Sequence, residues 1–448
     1  MRPAITEQEG TGTVWRQMLL FFFPIFLGTV FQQMYSMVDA AVLGRFVGKE
    51  ALAAVGGSDA EVINLLVGFF VGLSSGAGVL VSQYFGARHR EPLRSAVYTG
   101  ILLSVVCGAF LMIAGQFVAP MILRAIHTPG DIFQYAVDYL RIYFLCMIPA
   151  LIYNMGAGIL RAVGDSRRPL YYLIVCCAVN IVLDLALVFP LGTQGTALAT
   201  CASQVVCAVL VLRALLRSQE DYRLQLRPAA YSGMQLRQML RIGLPAGLQS
   251  SMYSFANVFL QSAINKLGTD SVAAWAAFRK VDSIYWPIAG ALGITVMTFV
   301  GQNFGARQYD RLKQTVRTGL ALDVLVTVVF SALALALRGP LIALFNDDPE
   351  VLRIGRQLAL IFGATYILYP ITEIYSSAMR GVGDSLLPSL MTVFGICGLR
   401  LAYLFLVVNR DASNVKIALS YPLTWGVTSL MFLIYYHRGR WLTRHIRN

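Results

Sequence analysis

A chain of 448 residues in which 57% are hydrophobic and only 13% charged, with a mean hydropathy of +0.64, is far more apolar than a soluble protein, where roughly a quarter of residues are charged. The composition excludes a soluble fold and dictates an integral membrane protein. The net charge of +13 is strung along loops without interleaved aromatics, so it signals topology and attraction to anionic lipids, and no nucleic-acid partner is expected.

Apolar stretches long enough to cross the hydrocarbon core, about 20 residues of helix, recur along the whole chain. Helices and not barrel strands are therefore the spanning elements. Twelve are predicted, at 17–43, 51–81, 93–119, 132–157, 168–189 and 194–216, then 239–266, 272–301, 314–337, 351–378, 386–409 and 414–436. The polar start MRPAITEQEGTGTVWRQ is too acidic for a signal n-region, and the first apolar segment lacks a small-residue cleavage site, so that segment is expected to stay as the first span.

Orientation follows from arginine and lysine. With both termini in the cytoplasm, the tails and the loops after even-numbered helices hold 23 of the 36 basic residues, among them Arg2, Arg16, Arg88, Arg161, Arg213, Arg307, Arg380, Arg440, Arg444 and Arg447. A multi-pass protein of the plasma (inner) membrane is expected. The seven cysteines fall within proposed helices, with no CxxC or Cys/His cluster, and suggest neither disulfides nor a metal site.

The chain repeats itself. SQYFGARHREPL at 82–93 returns as GQNFGARQYDRL at 301–312, and LRAVGDSRRP at 160–169 returns as MRGVGDSLLP at 379–388, both at a spacing of 219. VGKEALAAV at 47–55 matches LGTDSVAAW at 267–275 with a one-residue slip. The organisation read from this is an N-terminal tail (1–16), a six-helix lobe (17–216), a basic linker (217–238), a second six-helix lobe (239–436) and a basic tail (437–448). Six is even, so the halves enter the membrane in the same sense, a parallel 6+6 repeat. Two similar bundles around a central cavity suit alternating access. No nucleotide-binding loop and no HExxH occurs, and no loop is large enough for a catalytic domain. A transporter driven by an ion gradient, and not an enzyme, is the economical reading. The FGAR and VGDS segments are read as cytoplasmic turns.

PIFLGTVFQQMYSMVDAAVLGRFVGKEALAAVG at 24–56, the paired FGAR and VGDS segments and the 6+6 repeat together resemble the multidrug and toxic compound extrusion family, over residues 16 to 437. The resemblance implies efflux of amphipathic, often cationic drugs or toxic compounds in exchange for H+ or Na+, with no other cofactor, by a monomer. Within the family the chain is most similar to the DNA-damage-inducible branch, which keeps an Asp on helix 1 and an Asn/Asp pair on helix 5. Asp39, Asn180 and Asp184 match those positions. The resemblance also links bending of helix 1 to cation binding, which makes Pro24 a candidate hinge, although a static kink is equally compatible with its position. A flippase for lipid-linked precursors, from the same superfamily, is the second reading. A membrane enzyme is a third, and it lacks a catalytic constellation.

Depth points to the same residues. At about 1.5 Å per residue, Asp39 lies roughly 6 Å below Gly44, Asp184 roughly 9 Å below Pro190, and Tyr139 and Thr200 about 10 Å deep. Asn180 is one turn from Asp184 on the same face. Five oxygen-bearing side chains, Asp39, Asn180, Asp184, Thr200 and Tyr139, thus converge in the outer half of the first lobe, a set suited to a shared proton or to Na+, with Asp39, Asn180, Asp184 and Thr200 as the candidate Na+ ligands. An Asp in hydrocarbon costs roughly 2.5–3.5 kcal/mol on insertion scales, so it persists where it has a cavity and a partner. An Asp locked to neighbouring hydroxyls and amides is the structural alternative. The second lobe does not repeat this set: Leu399 and Tyr403 stand opposite Asn180 and Asp184. It offers instead Glu373, opposite Asn154, and Arg400, assigned together to a substrate pathway, and a cluster of Arg279, Lys280 and Asp282; lobe-stabilising ion pairs are the other reading of these charges.

Overall fold

The computed structural model describes residues 14–48, 51, 54–55, 60–125, 128–227, 230–345, 348–439 and 441–442. Arg2, Arg440, Arg444 and Arg447, and much of the start of the second predicted segment, lie outside the described residues. Among those described, no strand occurs. Apolar runs in a bilayer have no water to satisfy backbone N–H and C=O groups, so each closes its own hydrogen bonds as a helix.

Among the described residues, six long helical segments precede the linker: Val14–Phe46, Ala60–Gly86, Arg90–Ala125, the pair Gly130–Leu145 and Met147–Ala162, Arg167–Leu191, and Thr193–Arg217. Six follow it: Gly233–Asn265, Thr269–Asp282 with Tyr285–Gly305, Tyr309–Ala336, Pro349–Thr365 with Tyr369–Gly381, Leu386–Val408, and Asn414–Arg438. They are numbered first to twelfth below. Ten are long and apolar enough to cross a membrane, and the fourth, bent by 54° at Cys146, makes eleven. The seventh, Gly233–Asn265, is long enough at 33 residues but carries more polar side chains than the other segments.

Several segments are interrupted in ways an apolar run does not announce. The eighth breaks at Ser283–Ile284, and the tenth passes through a 3-10 turn at Tyr366–Leu368 before Pro370 opens its last helix, a position where proline's missing N–H is harmless. The eleventh contains two π-helical stretches, Val393–Gly398 and Leu404–Val408. Pro24 and Pro245 lie inside continuous helices.

The chain divides into two compact units, residues 20–247 and residues 248–442 joined by 14–19. The division between these units falls within the seventh segment. The reason is close packing without side chains. A Cβ at Gly72 would stand 2.5 Å from the backbone nitrogen of Gly247, and one at Gly247 would stand 2.6 Å from the Phe69 carbonyl oxygen, so the first half of the seventh segment is seated backbone to backbone on the second. The core of the first unit holds Leu80, Val97, Met155, Ile159 and Val211. That of the second is aromatic, with ring centroids 4.6 Å apart for Phe278–Phe362 and for Tyr285–Tyr366.

The repeat is written in the backbone as well. Arg88 and Arg307, one at each FGAR turn, have φ of 56° and 57°, and Gly164 and Gly383 of the VGDS turns have 94° and 98°. Left-handed φ at an arginine is uncommon, so its recurrence at the same repeat position marks a common turn.

The cysteine spacing gives no sign of one contact the fold makes: Cys176 and Cys207, 31 residues apart in sequence, meet across the antiparallel fifth and sixth segments with Cα atoms 5.9 Å apart.

Candidate functional site

In the first unit, the fifth and sixth segments turn back on each other at Gly192, whose φ of 56° suits the residue without a Cβ. This hairpin sets Thr200 against Asn180, whose Nδ2 donates to Thr200 Oγ1 over 3.5 Å. Asp184, one turn along, is fully enclosed at 0% exposure, and Asn180 at 1%. Asp39 reaches the same region from the first segment, 8% exposed and within electrostatic reach of Asp184. Tyr139, on the fourth segment, is buried among Leu43, Ala51, Val55 and Ala197 and stacks on Tyr143 with centroids 6.4 Å apart. Leu43 follows Asp39 by one turn, so Tyr139 packs beside that end of the first segment. Tyr35, not singled out from sequence, lies one turn before Asp39 and within electrostatic reach of it.

The decisive feature is what these groups lack. Among the described residues, Asp39 Oδ1, Asn180 Oδ1 and both carboxylate oxygens of Asp184 are buried without a hydrogen-bond donor. A buried acceptor left unmade costs about 1–3 kcal/mol and a charged one more, so four in one place mark a position for a bound cation or proton. The donors are hard oxygens, which fits both. Among the described residues no group of three or more His, Cys, Asp or Glu side chains lies close enough to share a metal ion.

In the second unit, Glu373 follows Pro370 on the last helix of the tenth segment. Its Oε2 accepts from the Tyr369 hydroxyl at 3.0 Å and its Oε1 from Ser377 Oγ at 3.4 Å. The carboxylate lies across Gly293, where a Cβ would overlap Oε1. Arg400 is not joined to it. The guanidinium sits 3.9 Å from the centroid of the Tyr421 ring and donates to Thr424 Oγ1 at 3.2 Å, while its buried Nε has no partner. Asp282 accepts from Trp286 Nε1 at 2.9 Å and from the Tyr366 hydroxyl, with Arg279 near enough to attract it. Asn154, the repeat counterpart of Glu373, bonds its own helix at the Ala150 carbonyl, 2.9 Å away.

The model of the MatE family matches residues 24–186 and again 245–406, once in each half. The chain belongs to the MatE family. It is accordingly a multi-pass membrane protein of a family of multidrug efflux transporters, all-helical, with the family domain present twice. Among curated MatE relatives, "Probable multidrug resistance protein YoeA" of Bacillus subtilis is 30% identical over 97% of this chain and 96% of its own length. "Probable multidrug resistance protein NorM" of Thermotoga maritima is 24% identical over 90% and 87%. Among solved structures, a MATE transporter in the bent conformation superposes with a TM-score of 0.90 at 20% identity, over 99% of this chain and 100% of that one. A MOP superfamily transporter of Pyrococcus furiosus, described as having a binding pocket of reverse polarity, superposes with 0.87 at 19%, over 99% and 100%. At such identities these likenesses establish the MatE fold.

Proposed function

We propose that the protein is a secondary active antiporter of the plasma membrane, with both termini cytoplasmic, that exports amphipathic, often cationic compounds in exchange for H+ or Na+ by alternating access of its two six-helix halves. The observation that carries the coupling is Asp184, a fully buried carboxylate with neither oxygen satisfied, beside Asp39 and the orphaned carbonyl oxygen of Asn180. A carboxylate pair that binds a cation or proton when open to the outside, and releases it when open to the cytoplasm, couples uphill export to the downhill ion gradient that supplies the energy. The basic residues retained on one side by the positive-inside rule support the orientation. Glu373, presented on a helix end behind Pro370, is the acid that meets cationic substrates.

A second reading has one observation in its favour. Arg400 is a buried cation with no carboxylate bonded to it, which suits an anionic cargo such as a lipid-linked precursor, and a structural neighbour has a pocket of reverse polarity. Proteoliposomes given an imposed proton or sodium gradient separate the readings. Gradient-driven movement of an organic cation supports the antiporter and names the ion. Movement of an anionic lipid precursor with no response to cations supports the flippase.

A further inference from the structure

The ninth segment, Tyr309–Ala336, carries an acid that the coupling site does not use. Asp323 is fully buried at 0% exposure, and among the described residues neither carboxylate oxygen has a hydrogen-bond partner. Its repeat counterpart, 219 residues earlier, is Ser104, whose hydroxyl is satisfied by the Ile101 carbonyl at 2.7 Å. The acid is therefore peculiar to the second unit and not a remnant of the repeat.

Its surroundings are enclosed and titratable. One turn along the same helix, Thr327 Oγ1 is hydrogen-bonded to the Tyr285 hydroxyl at 3.0 Å. The Tyr285 ring packs against Tyr366 with centroids 4.6 Å apart and against Phe330 at 5.4 Å. The charged neighbour of Asp323 is Glu373, itself held by Tyr369 and Ser377. The titratable groups facing Asp323 are thus Tyr285 from the eighth segment and Glu373, with Tyr366 and Tyr369 behind it, from the tenth. An ionised carboxylate here has no donor and a like charge beside it, which a membrane interior does not sustain. Among the described residues no cluster of acids, His or Cys surrounds it that could hold a multivalent metal ion. The smallest ligand that relieves both the missing donor and the like charge is a proton.

We propose that Asp323 is a proton-exchange site of the C-terminal unit: it holds a proton while Glu373 faces no cation, and gives it up when an organic cation settles beside Glu373. In the exchange the carboxyl O–H bond breaks, the proton passes to water, and the charge left on Asp323 is balanced by the arriving cation, which favours the ionised form of acids near it. The release step rests on the reading of Glu373 as the acid met by cationic substrates; the stored proton does not.

Infrared difference spectroscopy on the full-length protein in lipid, with tetraphenylphosphonium as the probe cation, tests both parts. In an Asp39→Asn, Asp184→Asn background, a protonated-carboxyl band at neutral pH that shifts on incorporation of isotope-labelled aspartate and vanishes in Asp323→Asn is the expected result. Isotope labelling identifies the band as aspartyl even where Asp323→Asn fails to fold. Saturating tetraphenylphosphonium removes the band, and Glu373→Gln prevents its removal. If the probe removes the band equally in Glu373→Gln, the role given to Glu373 falls while the proton site of Asp323 stands. No protonated aspartyl band, or one that persists under saturating probe, overturns the proposal.

Discussion

Asn180 donates its amide to the Thr200 hydroxyl over 3.5 Å, while its own carbonyl oxygen is buried without a donor. The amide is thus oriented: its N–H side is held by the sixth segment, which leaves its oxygen to the same buried region as Asp184. A purely structural Asp would be locked by such hydroxyls and amides. Here one N–H of the neighbouring amide goes to Thr200, and among the described residues no side chain or backbone group donates to Asp184.

Thr200→Val keeps the shape and removes the acceptor. It is expected to destabilise the protein by about 1 kcal/mol through the unpaired Asn180 amide, and to raise the cation concentration needed to stabilise it against heat. Thermal unfolding in detergent across a sodium and pH series measures both; a cation response identical to wild type would remove Thr200 from the site.

The backbone-to-backbone seat of the second and seventh segments makes Gly72 intolerant. Gly72→Ala puts a methyl group 2.5 Å from the Gly247 nitrogen, an overpacking that costs about 1–3 kcal/mol. Gly290→Ala, where a Cβ meets nothing within 4 Å, is the control and is expected to be neutral or slightly stabilising. Equal melting temperatures for both variants would contradict the packing described.

Glu373→Gln is expected to weaken export of cationic substrates more than of neutral ones and to leave cation-induced conformational change intact. Gly293→Ala should follow the same pattern, because its new methyl displaces Glu373 Oε1 without touching the charge. Competition assays with a cationic and a neutral substrate read the difference; equal loss for both classes would take Glu373 out of the substrate pathway.

The proposed orientation predicts that a cysteine introduced at the exposed Leu226, in the basic linker, is shielded from a membrane-impermeant thiol reagent in intact cells and labelled after permeabilisation. Labelling from outside would invert the topology.

Much of this was legible in the sequence. Span length and the 219-residue repeat give the all-helical, two-half architecture, because bilayer thickness fixes helix length and homologous halves keep their turn chemistry. Asp39, Asn180 and Asp184 stand out because acids in apolar runs are rare. The same rule applied to the run around Asp323 would have found it; without an amide one turn away or an acidic repeat partner, it passed unremarked. The breaks at Cys146, Ser283 and Tyr366 and the π-helical stretches around Arg400 leave no mark on composition, since neighbouring helices and not local sequence satisfy the freed backbone groups. The meeting of Cys176 with Cys207 depends on which faces of two helices pack together, which spacing alone does not encode.

The central claim is that Asp184, with Asp39, couples export to a cation. Its most direct test is transport by Asp184→Asn in proteoliposomes, read in two ways on one preparation: exchange of labelled for unlabelled substrate without a gradient, and accumulation against a gradient driven by H+ or Na+. The account predicts that exchange survives while gradient-driven accumulation is abolished. Accumulation by Asp184→Asn at the wild-type level would contradict it and leave Asp184 a structural residue.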